Sequence, residues 1–132
     1  MAILDAFPGL KTEITVNRVP LAEYDDDEAE NSSTQTTKYI EAISGSDFVI
    51  KTSFKKPFLA TYGVEIFVRI DGDHMPGRSV KPDAVFYQVP VEIAGVEFSQ
   101  DGRCYHQNYQ FAELNIGNVC SNVDHVKVLT TV

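Results

Sequence analysis

Carboxylates form the most concentrated candidate for chemistry in this sequence. Residues 23–34 are polar and contain Asp25, Asp26, Asp27, Glu28 and Glu30. Carboxylates are Ca²⁺ ligands, but a calcium-binding loop spaces its ligands and contains a glycine, and this segment does neither. Residues 23–34, the acidic segment, are therefore predicted to be a solvated loop. The alternative is an electrostatic contact with a lysine-rich or arginine-rich protein partner.

A second group combines two carboxylates with an imidazole in the stretch Asp71, Gly72, Asp73 and His74. These side chains are of the types that bind metals. An Asp-Gly dipeptide after a strand is, however, typical of a hairpin turn in which glycine adopts a positive φ. The interpretation we favour is a turn.

Histidine and cysteine residues give no stronger metal signal. The set consists of His74, His106, His125, Cys104 and Cys120. Structural zinc sites use ligand pairs two to four residues apart, and only Cys104 and His106 have such spacing. Nothing local marks Cys104 as an activated nucleophile, so both cysteines are expected to be buried, inert thiols. No metal or other cofactor is predicted.

Aromatic and amide side chains alternate late in the chain. Tyr105, Tyr109 and Phe111 are interleaved with Gln107, Asn108 and Gln110. If it were exposed on a sheet, such a row, with Tyr105 and Tyr109 at its centre, could bind a sugar or a peptide. The interpretation we favour is ordinary cross-strand packing of aromatic rings.

Charge and missing motifs exclude several classes of function. The 132-residue chain has a net charge of −8, which disfavours nucleic acid and anionic membranes as partners. We find no nucleophile elbow, phosphate-binding loop or HExxH motif, and an enzyme is not predicted. The N-terminus lacks the features of a signal peptide and no apolar stretch is long enough to span a membrane, which predicts an intracellular protein.

Hydrophobic alternation indicates the elements that must position these groups. Apolar residues recur at every second position in several segments, most clearly at Val64, Ile66, Val68 and Ile70. A period of two is typical of strands with one buried face. About seven to nine strands separated by frequent turn signals predict an all-β chain, a single-domain antiparallel β-sandwich of jelly-roll or immunoglobulin-like type over residues 1–132.

The pattern also predicts individual elements and no helix. We expect a first strand at 12–18, a hairpin over 35–54 closed by Ser44, Gly45 and Ser46, and a strand at 63–70. Residues 73–84 are predicted to be a loop with a short edge strand at 78–81, and 85–93 a strand. A second hairpin is expected around Asp101-Gly102, then strands at 103–116, with a bulge or a helical turn near Ala112, and at 125–132 with Val126 and Val128 inward.

Six segments together resemble one family of domains. They are MAIL and FPGL within 1–10, VPL and EYD within 19–25, TKYIEA at 37–42, FVIK at 48–51, VRIDG at 68–72 and YQFAEL at 109–114. They resemble an uncharacterised fungal domain of unknown function. The resemblance implies a fungal, intracellular, mainly β domain, and it brings no catalytic residues.

These observations leave three hypotheses for function. The first is a non-enzymatic module that binds another protein, or itself as a homo-oligomer, through sheet edges and loops. The second is an acidic binder of basic proteins with the architecture of nucleoplasmin-like histone chaperones. The third is a sandwich that binds a carbohydrate or another small ligand through Tyr105 and Tyr109.

Overall fold

The structure is a computed structural model that describes residues 2–113 and 125–131. These residues form twelve strands, several of them very short, and one short helix. In chain order the elements are β1 (Ala2–Ile3), β2 (Leu10–Val16), β3 (Val19–Pro20), β4 (Glu23–Asp25), β5 (Gln35–Glu41), β6 (Val49–Phe54), β7 (Val64–Ile70), β8 (Asp73–Val80), α1 (Pro82–Phe86), β9 (Val91–Ile93), β10 (Gly95–Gln100), β11 (Arg103–Asn108) and β12 (His125–Thr131). The prediction of an all-β chain is confirmed.

The strands form four antiparallel sheets. The main sheet has the order β1-β2-β6-β9, with β3 paired to the end of β2. A second sheet has the order β12-β5-β4. The two remaining sheets are the hairpins β7–β8 and β10–β11. The sequence therefore contains more and shorter strands than we expected from its periodicity.

One face of the main sheet is apolar apart from one cross-strand pair of threonines. Leu10 lies opposite Phe54, Thr12 opposite Thr52, and Ile14 opposite Ile50 in the β2–β6 register. Because side chains alternate between faces, these residues share one face. Leu10, Ile14, Thr52 and Phe54 are buried.

The β7–β8 hairpin packs on this face of the main sheet. Val64, Ile66 and Val80 contact the cluster that contains Leu10 and Phe54. Farther along β7, Val68 packs with Ile93 of β9 and with Tyr109. Burial of one large apolar side chain such as Phe54 stabilises the fold by about 1.5–3 kcal/mol, so these contacts fix the hairpin to the sheet.

The predicted hairpin over residues 35–54 is wrong. The turn itself forms, because Gly45 has a positive φ of 70° and the Ser46 amide donates to the carbonyl of Ile43. The amide of Phe48, however, donates to the carbonyl of Tyr109. The chain therefore leaves the turn along residues 109–111, so β5 and β6 lie in different sheets.

Two predictions between residues 73 and 93 are also wrong, and proline is the reason in each case. Residues 73–80 form a full strand, β8, whose register shifts opposite Phe67. Pro76 and Gly77 together lie opposite Phe67, so β8 has one extra residue there, and a β-bulge accommodates a proline that cannot donate to the ladder. Pro82 lies in the first turn of α1, a position that tolerates proline, so only Val91–Ile93 remains a strand.

The start of the acidic segment also differs from the prediction. Residues 23–25 form β4, because Tyr24 and Asp25 pair with Tyr39 and Lys38 of β5. The first long strand, β2, agrees approximately with the strand predicted at 12–18, although the two-residue β1 precedes it.

Both predicted Asp-Gly turns and the last predicted strand are confirmed. Asp71-Gly72 and Asp101-Gly102 have positive φ angles and join β7 to β8 and β10 to β11. His125–Thr131 is a strand paired with β5. The strand predicted at 103–116 is too long, because β11 ends at Asn108 and Tyr109 and Phe111 bond instead to the backbone of residues 45–48. Residues 114–116, Cys120 and the inward orientation predicted for Val126 and Val128 lie outside the described part.

Candidate functional site

A large cavity lies above the apolar face of the main sheet. It is an open cleft of about 1430 Å³. Its floor is formed by alternate residues of β2 and β6, namely Leu10, Thr12, Ile14, Ile50 and Thr52. The hydroxyl oxygens of Thr12 and Thr52 lie 3.5 Å apart at its centre. We call this cavity the β7 cleft, because β7 forms its long wall.

The long wall consists of consecutive residues, since every position from Gly63 to Gly72 lines the cleft. Among the strands that the structure describes, β7 pairs only with β8. Its second edge is therefore unpaired and faces the cleft. An edge strand leaves the N–H and C=O groups of alternate residues free for another strand.

Aromatic rings close the two ends of the β7 cleft. Phe48 and Phe111 stack with their ring centroids 4.5 Å apart at the end beyond Ile14. Phe7 and Phe58 meet edge to face at 6.5 Å at the Leu10 end. Gln35 also lines the cleft. The cleft is thus an elongated groove, which we also call the lane, that runs alongside the single strand β7.

The volume of the cleft matches one additional strand. A seven-residue strand such as β7 is about 24 Å long, neighbouring strands lie about 4.8 Å apart and packed sheets lie about 10 Å apart. One strand position in a packed layer therefore occupies about 1,100 Å³. Small-molecule pockets are usually about 300–1,000 Å³, so the observed volume fits a strand better than a small ligand.

The acidic residues lie away from this cleft and are partly neutralised. Asp25 forms an ion pair with Lys38 on the neighbouring strand, and this hydrogen-bonded lysine lowers the pKa of the Asp25 carboxyl below its ordinary value. A hydrogen bond to Asp26 raises the pKa of Tyr39. Asp27, Glu28 and Glu30 are exposed. The structure thus places the five predicted acidic residues at one solvated end of β4 and β5.

The two candidate binding tyrosines, Tyr105 and Tyr109, have different surroundings. Tyr105 is exposed and stacks on Phe98 at 5.5 Å across the β10–β11 hairpin. Tyr109 is only 7% exposed and stacks on Phe48 in the core. Its hydroxyl group has no hydrogen-bond partner among the described residues, and burial raises the pKa of Tyr109. Cross-strand packing of rings therefore describes Tyr105, which pairs with Phe98, whereas Tyr109 packs in the core, and the two tyrosines do not share a surface.

Histidine and cysteine residues do not converge within the described residues. No group of three potential metal ligands occurs there. Cys104 is exposed, with its sulfur 3.7 Å from the hydroxyl of Ser99, so the prediction of a buried thiol is wrong for it. His74 accepts a hydrogen bond from Arg69 across the β7–β8 hairpin.

A comparison with protein families gives one match. The family model of DUF7918, a domain of unknown function, matches residues 9–128. The chain belongs to this family. The matched range contains the whole of β2, β6 and β7, so the floor and the long wall of the cleft lie within the DUF7918 domain.

Other comparisons with known proteins add no relative. No curated protein and no solved structure matches this DUF7918 member. None of the helical residues in the described part forms a segment long and apolar enough to cross a membrane. The arguments on function therefore depend on the geometry of the domain itself.

Sequence reasoning missed the β7 cleft, although it identified the strands around it. The signal in the sequence was a threonine in the middle of the apolar face of each floor strand, Thr12 in β2 and Thr52 in β6. Nothing in the sequence shows that β7 lies above these residues with an unpaired edge, because that arrangement depends on contacts between distant segments.

Proposed function

We propose that this DUF7918 domain is a non-enzymatic protein-interaction module of β-sandwich type. It accepts an extended segment of a partner protein as an additional strand beside β7. The single observation that carries this proposal is the β7 cleft, whose volume matches one strand, whose floor is largely apolar and whose bounding strand edge has no partner among the described strands.

Strand addition uses two features that occur together in the cleft. Main-chain hydrogen bonds to an exposed edge provide affinity, and pockets for alternate side chains provide specificity. The floor presents the half-buried Thr12 and Ile50 to inward-facing side chains, next to the buried Leu10 and Ile14. An extended segment with apolar residues at every second position fits this floor.

The sandwich part of the proposal is supported by the packing of the β7–β8 hairpin over the main sheet. Val64, Ile66 and Val68 face the residues of β2, β6 and β9. A strand bound next to β7 would extend this second layer over the part of the floor that the hairpin leaves uncovered. The bound segment would then complete the layer.

Binding of a neutral peptide tests the proposal. We expect the peptide VTITVTI, made soluble by a polyethylene glycol tail, to bind saturably in fluorescence anisotropy. The peptide VTIPVTI should bind much more weakly, because proline removes a donor from the middle of the strand. Equal binding of both peptides, or binding of neither, would contradict strand addition.

A matched pair of variants locates the binding site. Thr12→Phe places a ring in the lane and should abolish binding of VTITVTI. Ser53→Phe lies on the opposite face of the same sheet, where Ser53 pairs with Lys11, and should leave binding unchanged. Circular dichroism establishes that each variant folds. The comparison of VTITVTI with VTIPVTI uses the wild-type chain, so that test of strand addition does not depend on the folding of Thr12→Phe.

A further inference from the structure

The outer face of β7 carries two opposite charges along the cleft. Glu65 and Arg69 are exposed, line the cleft and lie on either side of Phe67. They are four residues apart on one strand face, a separation of about 13 Å. A strand added beside β7 would place its own outward residues directly next to these two charges.

Both charges remain available to such a strand. Glu65 lies opposite Ser79 and makes no ion pair with another described residue. Arg69 donates one hydrogen bond to His74, but its guanidinium group has five N–H donors. The ring of Phe67, which lies between them on the same strand, is placed over Gly77 of β8.

The direction of the added strand determines the order in which it must carry its two charges. In an antiparallel strand the residue opposite Arg69 comes first and the residue opposite Glu65 comes four residues later. In a parallel strand the order is reversed. Every strand pair in the described part is antiparallel, and antiparallel pairing is slightly more stable for each residue.

We infer that the partner segment runs antiparallel to β7 and carries an acidic residue opposite Arg69 and a basic residue opposite Glu65. This inference rests on the proposed function. Between and beside these charges the segment has apolar residues at every second position, which face the floor. The partner is thus a protein with an exposed extended segment of the pattern apolar-acidic-apolar-any-apolar-basic-apolar.

The sequence of β7 itself, VEIFVRI, has this pattern. A folded second copy cannot present it in the cleft, however, because the inward residues of its β7 already pack on its own main sheet. The two main sheets would occupy the same space. A free peptide with the β7 sequence has no such obstacle, so it is a suitable probe.

Competition between two isomeric peptides tests the inference. We expect VEIFVRI to bind the intact chain about tenfold more tightly than VRIFVEI, since two attractive cross-strand pairs replace two repulsive ones. Both peptides carry the polyethylene glycol tail. The difference should shrink at high salt, because the charges are exposed.

Charge-exchange variants show whether Glu65 and Arg69 of β7 are the residues that recognise the charges of the bound peptide. The double variant Glu65→Arg with Arg69→Glu should reverse the preference and bind VRIFVEI more tightly. A matched exchange on the other hairpin, Glu97→Arg with Arg103→Glu, should leave the preference for VEIFVRI unchanged. All four positions are exposed, so each variant is expected to fold.

The outcomes separate this inference from the proposed function. Tighter binding of VRIFVEI to the wild-type chain would overturn the antiparallel assignment. Equal binding of both charged peptides, together with binding of VTITVTI, would overturn the charge pattern and leave strand addition standing. If VTITVTI also fails to bind, the proposed function itself is wrong.

Discussion

The two hairpins of this domain have the same turn and opposite surroundings. Both β7–β8 and β10–β11 turn through Asp-Gly with positive φ at both positions. The inner side of β7 is packed on the main sheet. In β10–β11 every residue from Glu97 to Asn108 is exposed, and only Val96 is packed against a core cluster.

The difference teaches that turn chemistry defines a hairpin but not its role. β7 has four apolar residues on one face, at positions 64, 66, 68 and 70, and this face holds the hairpin over the main sheet. In β10–β11 the corresponding face contains the exposed Phe98–Tyr105 stack together with polar residues. Only β7 therefore has an edge that lies above an apolar floor.

The largest expected effect comes from removing a ring beneath the docked hairpin. Phe54 is 1% exposed and stacks on Phe58 at 5.6 Å. Phe54→Ala should lower the free energy of unfolding by about 3–5 kcal/mol, because it leaves a cavity. The matched variant Phe98→Ala should cost less than about 1 kcal/mol, as expected for an exposed site.

Urea denaturation of both variants provides this measurement. Similar losses for Phe54→Ala and Phe98→Ala would show that the β10–β11 hairpin belongs to the cooperative core. The contrast between the two hairpins would then be wrong.

An intermediate effect is expected at the two turn glycines. Gly72 and Gly102 have φ angles of +89° and +73°, and an added Cβ would meet no atom within 4 Å at either position. Alanine at each site therefore adds only backbone strain, about 1–2 kcal/mol. Gly72→Ala should lower global stability, whereas Gly102→Ala should act mainly on the local opening of β10–β11.

Native-state hydrogen exchange distinguishes these two responses. With Gly102→Ala, we expect faster exchange of the β10–β11 amides and an unchanged midpoint of global unfolding. If Gly102→Ala shifts the global midpoint as much as Gly72→Ala does, the two hairpins unfold as one unit.

The smallest effect concerns an exposed ion pair outside both hairpins. Lys38 lowers the pKa of Asp25 in the folded protein. Such a group stabilises the fold above its unfolded pKa, and this contribution disappears as the pH falls through the lowered folded value. Lys38→Met should return the pKa of Asp25 towards its ordinary range with little change in stability at neutral pH.

A carboxyl-detected NMR titration of the wild type and Lys38→Met gives both values of this pKa. An unchanged pKa would mean that Lys38 does not pair with Asp25 in solution. The acidic segment would then be more uniformly available to a basic partner than the structure indicates.

Local signals in the sequence predicted those parts of the fold that local physics determines. Alternation identified β2, β6 and β7, and the Asp-Gly pairs identified two turns. The predicted 35–54 hairpin failed because a turn at Gly45 does not specify which strand the chain joins next. That choice depends on hydrogen bonds from Gly45 and Phe48 to residues more than 60 positions away.

The candidate site was less predictable than the fold. Residue types drew attention to the acidic segment and to Tyr105 and Tyr109, which the structure separates into a solvated strand end, an exposed stack and a core ring. The β7 cleft depends on an unpaired edge and on a floor built by two other strands. Neither property leaves a mark in a single stretch of sequence.

Isotope-filtered NOE spectroscopy of the labelled protein with VTITVTI tests strand addition beside β7 most directly. The proposal predicts NOEs from the peptide backbone to the β7 amides between Val64 and Ile70, and from its side chains to Ile14 and Thr52. NOEs confined to β10–β11 or to the acidic segment would contradict it.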